Sequence, residues 1–540
     1  MTVKLIVISG GMASGKSTLA ERICKDFGYQ KISTSDIIRQ RLSPSVKINR
    51  ESLQRKGNAL DRNTDHGWIA YEVAKSIRSR NDDTVIVLEG VRKLKQIDKI
   101  LERIGHRYVK HVHLLVDRAT QKARFEERER DSDLSYEDAI SDASERQVKR
   151  LEGKADIVVP TQLCTEDDVF YLVSANLGLQ SRTSDRLVDV IVGGQYGSEG
   201  KGNIADYLSP EYQILMRVGG PNAGHKVFEV PPYTHTSLPC GTRREKKDQD
   251  LLIGPGAVIN PEKLLEEIRC CGVDRDRLIL DEKAVLISCE DRQWEEKYLK
   301  DGIGSTAQGV GKAAARRIVH RFREGRACKL AKDLKDLGSE YAELSQYVGS
   351  TATRLEKAYA RGEKILLEGT QGTGLSLFHG EYPSVTSRDT TASGCLSEAG
   401  IGPRRVNRII LVCRTYPIRS GGNTGDFSIE IDWKTVSERS EIPLGNLEEH
   451  EVGSRTKKQR RVGEFDWKML RRACHLNSPT DIALTFVDYL DKKNMEAIRF
   501  DQLTRKTIEF IENVEMVAGV PCSLIANRFD YKCVIDRRRW

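Results

Sequence analysis

Short runs of consecutive apolar residues recur along this chain, and each leads into a turn rich in glycine, hydroxyls or acid. Val3 to Ser9, Thr84 to Leu88, Val109 to Val116, Val188 to Val192 and Ile365 to Glu368 are of this kind. Runs of this length, rich in β-branched side chains, read as strands buried in a sheet. Helical patterns stand between them. Leu19 to Cys24 is one, Ile37-Ile38-Arg39 opens another, a charged one carries Arg124, Arg128 and Arg130, and Asn203 to Leu208 begins a fourth. Asn176 to Arg186 breaks the pattern, being polar, rich in small residues and without period. It divides the chain into a first domain, residues 1–177, a linker, residues 178–186, and a second domain, residues 187–540.

Composition agrees with more than one core. The chain has 540 residues, 39% hydrophobic and 31% charged, which is too long for one ordinary domain. No stretch approaches the roughly 20 apolar residues of a membrane span, and Met1 to Ser9 runs into a glycine loop without a signal-peptide pattern, so a cytoplasmic location is expected. The 12 cysteines form no CxxC pair and have no histidine at zinc spacing, and they read as reduced thiols. The net charge of +8 is modest for this length, and phosphorylated small molecules account for it better than nucleic acid.

Chemistry concentrates at two glycine loops. Gly10-Gly11-Met12-Ala13-Ser14-Gly15-Lys16-Ser17-Thr18 fits GxxxxGK[ST] between a strand and a helix. There the loop N–H groups cradle phosphates, Lys16 bridges the terminal ones and Ser17 can ligate magnesium. Ser33-Thr34-Ser35-Asp36 looks like a helix N-cap, either a cap alone or a place where a nucleotide acceptor docks. Glu89 ends a strand where parallel-sheet enzymes hold ligands. Arg124, Arg128 and Arg130 read equally as a phosphoryl clamp and as a solvated helix face. His111 and His113 read as packing residues. Together with Leu53 to Gly57, Glu89 to Arg92 and Lys154 to Val158, the first domain resembles the P-loop kinases that include nucleoside monophosphate kinases and dephospho-coenzyme A kinase. The resemblance implies a parallel sheet wrapped by helices and phosphoryl transfer from a nucleoside triphosphate.

The second loop, Gly193 to Gly202, follows a strand and precedes a helix, so it too is a phosphate cradle, with Lys201 as its full charge. Three further loops, Met216 to His225, Ile303 to Gly311 and Gly369 to Gly374 with Tyr382 to Ser387, carry backbone donors, hydroxyls and amides. Four such loops in one domain argue for a large anion-binding site. In this order they resemble adenylosuccinate synthetase, and the similarity runs to Gly519-Val520-Pro521. That family joins L-aspartate to the 6-position of a purine mononucleotide after a triphosphate phosphorylates O6. The resemblance implies an α/β fold with a large, mostly parallel sheet, a homodimer and Mg2+.

Carried over by position, Gly197, Gly200, Gly202 and Lys201 bind the triphosphate, Gly224 offers its carbonyl to magnesium, and His225 acts at the phosphates. Asn222, Thr306, Arg316 and Thr386 hold the purine mononucleotide, with Arg316 reaching from a partner subunit, and Gln371 reads the 6-substituent. Thr456, Lys458 and Arg460 bind aspartate, Lys458 standing where an arginine is usual. Asp488 reads the base of the triphosphate, but Phe486 replaces a lysine two residues before it and Asn527-Arg528-Phe529 replaces a Gly-Pro wall. ATP, GTP and their deoxy forms therefore all stay open.

Ser198 is the main departure, because the family has an aspartate there that takes the purine N1 proton. A hydroxyl is far too weak an acid to serve as a carboxylate base at neutral pH. The same replacement characterises the succinoaminodeoxyadenylate synthase branch, which condenses aspartate with dGMP. The expectation is a (d)GMP-using ligase fused to a phosphotransferase. A conventional IMP-using enzyme and a non-catalytic nucleotide sensor are the alternatives. No membrane or nucleic-acid partner is expected.

Overall fold

The computed structural model describes residues 3–43, 46, 48, 50–78, 84–128, 136–137, 147–180, 185–228, 231–244, 249–321, 328–336, 341–453, 458–528 and 534–538. The chain separates into two compact units, Met1–Ser181 and Arg182–Trp540. Both are α/β, each with a central parallel or mostly parallel sheet.

In the first unit the apolar runs become β1 (Leu5–Gly10), β2 (Gln30–Ser33), β3 (Ile86–Glu89), β4 (Val109–Leu115) and β5 (Ile157–Pro160). They pair in parallel in the order β2-β3-β1-β4-β5. Leu5 and Val7 enter one core layer and Ile6 and Ile8 the other. Helices cover both faces, which is why the run carries no polar alternation. Each such buried side chain contributes about 1.5–3 kcal/mol of transfer free energy. From β1 the chain builds to one side, and from β3 it crosses to the other. The glycine loop and helix α1 (Lys16–Phe27) therefore leave β1 where the strand order reverses.

The second unit repeats this logic on a larger scale. Its ten-stranded sheet contains β6 (Val188–Gly193), β7 (Ile214–Arg217), β8 (Asp250–Ile253), β9 (Leu278–Asp281), β10 (Val348–Gly349), β11 (Ile365–Gly372), β12 (Val406–Arg414), β13 (Asp481–Thr485), β14 (Cys522–Ala526) and β15 (Val534–Asp536). Their order is β10-β9-β8-β7-β11-β6-β12-β13-β14-β15, and only the last pair is antiparallel. Val188, Val190 and Val192 pack into one core and Ile191 into the other. The polar letter in this run, Asp189, is buried but satisfied by Tyr212 Oη at 2.6 Å and Asn407 Nδ2 at 2.9 Å. Strand β6 is again the reversal point, and helix α2 (Lys201–Leu208) leaves it through the second glycine loop.

No disulfide joins the cysteines among the described residues. Among those residues no helix is long and apolar enough to cross a membrane.

Candidate active site

The loop after β6 is held from inside. Glu199 is fully buried, and its Oε1 accepts the backbone N–H groups of Gln195 at 3.1 Å and Gly197 at 2.7 Å. Its Oε2 pairs with the ammonium of Lys201, itself only 3% exposed. Gly200 (φ 85°) caps α2 and places Lys201 at the first helical position. Ser198 is exposed and adopts a left-handed backbone at φ 56°. Among residues 193–202 Glu199 is the one carboxylate, and its engagement leaves the Ser198 hydroxyl as the side chain at the apex.

The first unit builds its loop in the same way. Gly15 (φ 88°) caps α1 ahead of Lys16, and Ala13 is left-handed at φ 54°. Lys16 donates to the Gly11 carbonyl and lies 3.4 Å from Ser14 Oγ. A Cβ at Gly10 would fall 2.6 Å from the Leu114 carbonyl, so that position admits glycine alone. Ser17 and Thr18 lie in the first turn of α1, with Ser17 exposed. Ser33 is the N-cap of the helix Thr34–Gln40, but its hydroxyl bonds to Ser35 Oγ at 2.6 Å and not to the helix backbone. Glu89 is buried and pairs with Lys31 at 3.1 Å. Arg124 donates to Thr161 Oγ1 and carbonyl, and Arg130 lies outside the described residues. His111 and His113 are both buried and both bond to Ser9 Oγ, at 2.7 and 2.8 Å.

Beside the second loop stands His225. A Cβ at Gly202 would sit 2.8 Å from the His225 Cβ, so this glycine lets the histidine lie against the start of α2. The ring Nδ1 bonds to Glu368, which also receives Arg217 at 3.4 Å and the Cys240 N–H at 2.7 Å. Burial, reinforced by Arg217, pushes the imidazole down to about 4. Burial also works to raise the Glu368 carboxyl, but Arg217 and His225 outweigh it and hold the group well below the usual carboxylate range. A neutral ring whose Nδ1–H donates to Glu368 has a fixed tautomer and turns Nε2 away from that carboxylate. The ligand atoms of His225, Cys240 and Glu368 lie within 4.8 Å of one another. The soft thiol and the cation-paired carboxylate do not suit magnesium, which prefers oxygen donors. An oxygen donor such as the backbone carbonyl expected at Gly224 suits that ion better than this cluster.

Three of the residues expected at the purine mononucleotide meet at one hydroxyl. Thr386 Oγ1 receives Gln371 Nε2 at 3.2 Å and Asn222 Nδ2 at 3.4 Å. An irregularity in β11 between Glu368 and Gly372 puts Gln371 at φ 59° and re-aims its side chain. Thr306 and Lys458 line a cavity of about 750 Å³ with Lys263, Arg292 and Lys300. Arg316 is held within its own chain by Asp291 at 2.6 Å and the Leu286 carbonyl at 2.9 Å.

In the segment expected to bind aspartate, residues 454–457, and with them Thr456, lie outside the described residues. Arg460 donates to Glu451 at 3.0 Å. Asp488 is 6% exposed, and its Oδ1 has no hydrogen-bond partner. Burial pushes this carboxyl up to about 8, against the opposing pull of its own and Tyr489's backbone N–H groups and of Arg414. Where a lysine was expected, the Phe486 ring lies 4.0 Å from the Arg414 guanidinium, so a cation still stands in this region. Asn527 is fully buried and donates to the Asn494 and Ala497 carbonyls, a structural role, while Phe529 lies outside the described residues.

Sequence reasoning missed Glu199, Arg217, Glu368, Arg414 and Glu451. Only Glu368, a carboxylate closing an apolar run, carried a visible signal. Glu199 acts within its own loop, whereas Arg217, Arg414 and Glu451 act through contacts between distant segments.

Comparison with known proteins covers both units. A family model described as adenylosuccinate synthetase matches residues 190–336 and 312–499, and one described as an AAA domain matches residues 5–156. The adenylosuccinate synthetase of Methanocaldococcus jannaschii is 38% identical over 357 residues, covering 65% of this chain and 96% of that protein. That of Pyrococcus horikoshii is 38% identical over 358 residues, covering 65% and 98%. The fully ligated adenylosuccinate synthetase of Plasmodium falciparum superposes with a TM-score of 0.57 at 24% identity, over 65% of this chain and 100% of that one. The succinoaminodeoxyadenylate synthetase of cyanophage S-2L, solved with dGMP and with dATP as an energy donor, gives 0.53 at 24% identity, over 65% and 96%. At that identity the two structures speak for the fold alone.

Proposed function

Because this chain belongs to the adenylosuccinate synthetase family and is a C–N ligase of that type with a P-loop kinase-like unit, we propose that it condenses L-aspartate with the 6-position of GMP or dGMP. In this reaction the γ-phosphoryl group of a nucleoside triphosphate passes to purine O6, releasing the diphosphate and the N1 proton. The aspartate amine then attacks C6, the C6–O6 bond breaks, the new C6–N bond sheds a proton from the amine, and inorganic phosphate leaves carrying O6. Lys201 and His225 act on the phosphates, where magnesium held by the phosphates and the Gly224 carbonyl would neutralise charge, Gln371 acts on the purine, and Lys458, Arg460 and Thr456 act on the aspartate.

The observation that carries this reading is Ser198. Its exposed hydroxyl stands at the loop apex while the neighbouring Glu199 is turned inward onto two backbone N–H groups and Lys201. A carboxylate there would crowd the 2-amino group of guanine, whereas a hydroxyl lone pair can accept from it. Conventional use of IMP is the second reading, favoured by the 38% identity to archaeal adenylosuccinate synthetases.

For the triphosphate, a protonated Asp488 supports an adenine base. A carboxylic acid offers one donor and one acceptor, matching adenine N1 and the N6 amine, while guanine N1–H and N2–H call for a carboxylate. The dATP in the cyanophage structure is consistent with this choice. The first unit is proposed to transfer a phosphoryl group from a triphosphate to a nucleotide, with Lys16 and Ser17 at its phosphates. A homodimer in the cytoplasm completes the reading.

The test is to incubate the full chain with L-aspartate, Mg2+ and each of ATP, dATP and GTP, offering IMP, GMP and dGMP in turn, and to seek the succinyl adduct by mass spectrometry. Adduct from a guanine nucleotide is expected. Turnover of IMP without any guanine adduct overturns the proposal in favour of the second reading.

A further inference from the structure

The two loops that this reaction must fill together are joined through one fully buried arginine. Arg414 ends β12 with no exposed surface. Gln195, at the root of the phosphate loop, clamps its backbone, donating to the Arg414 carbonyl at 3.0 Å and accepting its N–H at 3.0 Å. The side chain then divides its donors. Nη1 donates to the Ser198 carbonyl at 3.3 Å, and Nη2 pairs with Glu451 at 2.7 Å.

Glu451 is as buried as Arg414 and stands at the start of the aspartate segment. Its other carboxylate oxygen takes Arg460 Nη1 at 3.0 Å, its backbone carbonyl takes the Arg460 N–H at 2.9 Å, and Tyr489 Oη donates at 2.9 Å to the carboxylate oxygen that pairs with Arg414. Burial favours the neutral acid, but Arg414 and Arg460 outweigh it and hold this carboxyl at about 2. A buried Arg–Glu–Arg set is costly to desolvate and is weak evidence for stability alone. Its geometry is a continuous line from the Ser198 carbonyl through Arg414 and Glu451 to Arg460.

We propose that Arg414 is a positioning residue that makes triphosphate binding at loop 193–202 and L-aspartate binding at Arg460 depend on each other. This rests on the assignment of that loop and of Arg460 under Proposed function. The guanidinium is planar and its donors are fixed relative to one another. Movement of the Ser198 carbonyl as the loop closes on phosphates turns that plane, carries Glu451 with it and re-aims Arg460. By linkage, aspartate must then tighten the triphosphate by the same factor.

The experiment titrates L-aspartate into the full chain with dGMP and Mg2+, with and without the β,γ-imido analogue of ATP, by calorimetry. In the wild type the analogue should tighten aspartate about tenfold, within the usual range of coupling between sites. Arg414→Lys, which replaces the rigid planar fork with a compact, freely rotating point charge, should bring that factor within about twofold of one, raise the KM for aspartate about tenfold and change analogue affinity by less than about threefold. Glu451→Gln keeps the shape and should decouple in the same way, which covers the case where one variant fails to fold. Coupling that persists in either folded variant overturns the inference, as does equal weakening of both ligands in step with Tm. A wild type that binds aspartate without coupling also overturns it. A wild type that binds no aspartate instead brings down the assignment of Arg460, and this inference with it.

Discussion

Ser198 and Ala13 hold the same left-handed backbone, φ 56° and 54°, each two residues ahead of a left-handed glycine that caps a helix beginning with lysine. The two glycine loops share few letters, yet two of these four positions match in backbone conformation. Non-glycine residues seldom adopt it, and aspartate tolerates it better than most.

Ser198→Asp should therefore fold with Tm close to the wild type while moving purine preference toward IMP. Steady-state kinetics should give a ratio of kcat/KM for IMP over dGMP raised about tenfold, equivalent to about 1.4 kcal/mol. Ser198→Val, β-branched at positive φ, should instead cost about 1–2 kcal/mol of stability in a denaturant melt.

Asp488 gives a pH dependence with a definite sign. With its carboxyl at about 8, the protonated form prevails at neutral pH and the carboxylate above that value. Arg414 favours the carboxylate, while Glu451 and burial oppose it. The ratio of ATP-driven to GTP-driven turnover should be highest near pH 7 and fall as pH rises through about 8. Asp488→Asn should abolish the pH dependence of that ratio.

Gly202→Ala places a methyl group 2.8 Å from the His225 Cβ. His225 is fixed on its other side by Glu368, which Arg217 in turn holds, so it has little room to yield. Overpacking of this kind costs about 1–3 kcal/mol. The expected result is a lower Tm together with at least a tenfold fall in kcat, as displacement of a catalytic group produces.

Lys16→Ala should stop phosphoryl transfer by the first unit and leave adduct formation by the second intact, read in parallel assays on one preparation. Loss of both activities would mean that the units do not work independently.

The strands were legible because both faces of each sheet are covered. The run Val3 to Ser9 overlaps Leu5–Gly10, and Val188 to Val192 overlaps Val188–Gly193, with neighbouring side chains entering opposite cores. The grouping of Asn222, Gln371 and Thr386 followed from the family resemblance, since segments some 150 residues apart carry no local mark of meeting. The kinship of the two loops at Ala13 and Ser198 was hidden because φ is not written in side-chain type. The link from Arg414 to Glu451 was hidden for another reason, in that buried ion pairs are chosen by the fold and look like surface charges in a sequence. Phe486 read as the loss of a cation, but the structure returns one from β12 by laying Arg414 on its ring.

The most direct measurement of the central claim is a competition. Equimolar IMP and dGMP are offered in one tube to the full chain with L-aspartate, Mg2+ and ATP, and the two succinyl adducts are quantified by mass spectrometry at early times. The account predicts that the guanine-derived adduct predominates by about tenfold or more, the discrimination expected of one well-placed polar contact. An adduct formed from IMP alone would contradict it.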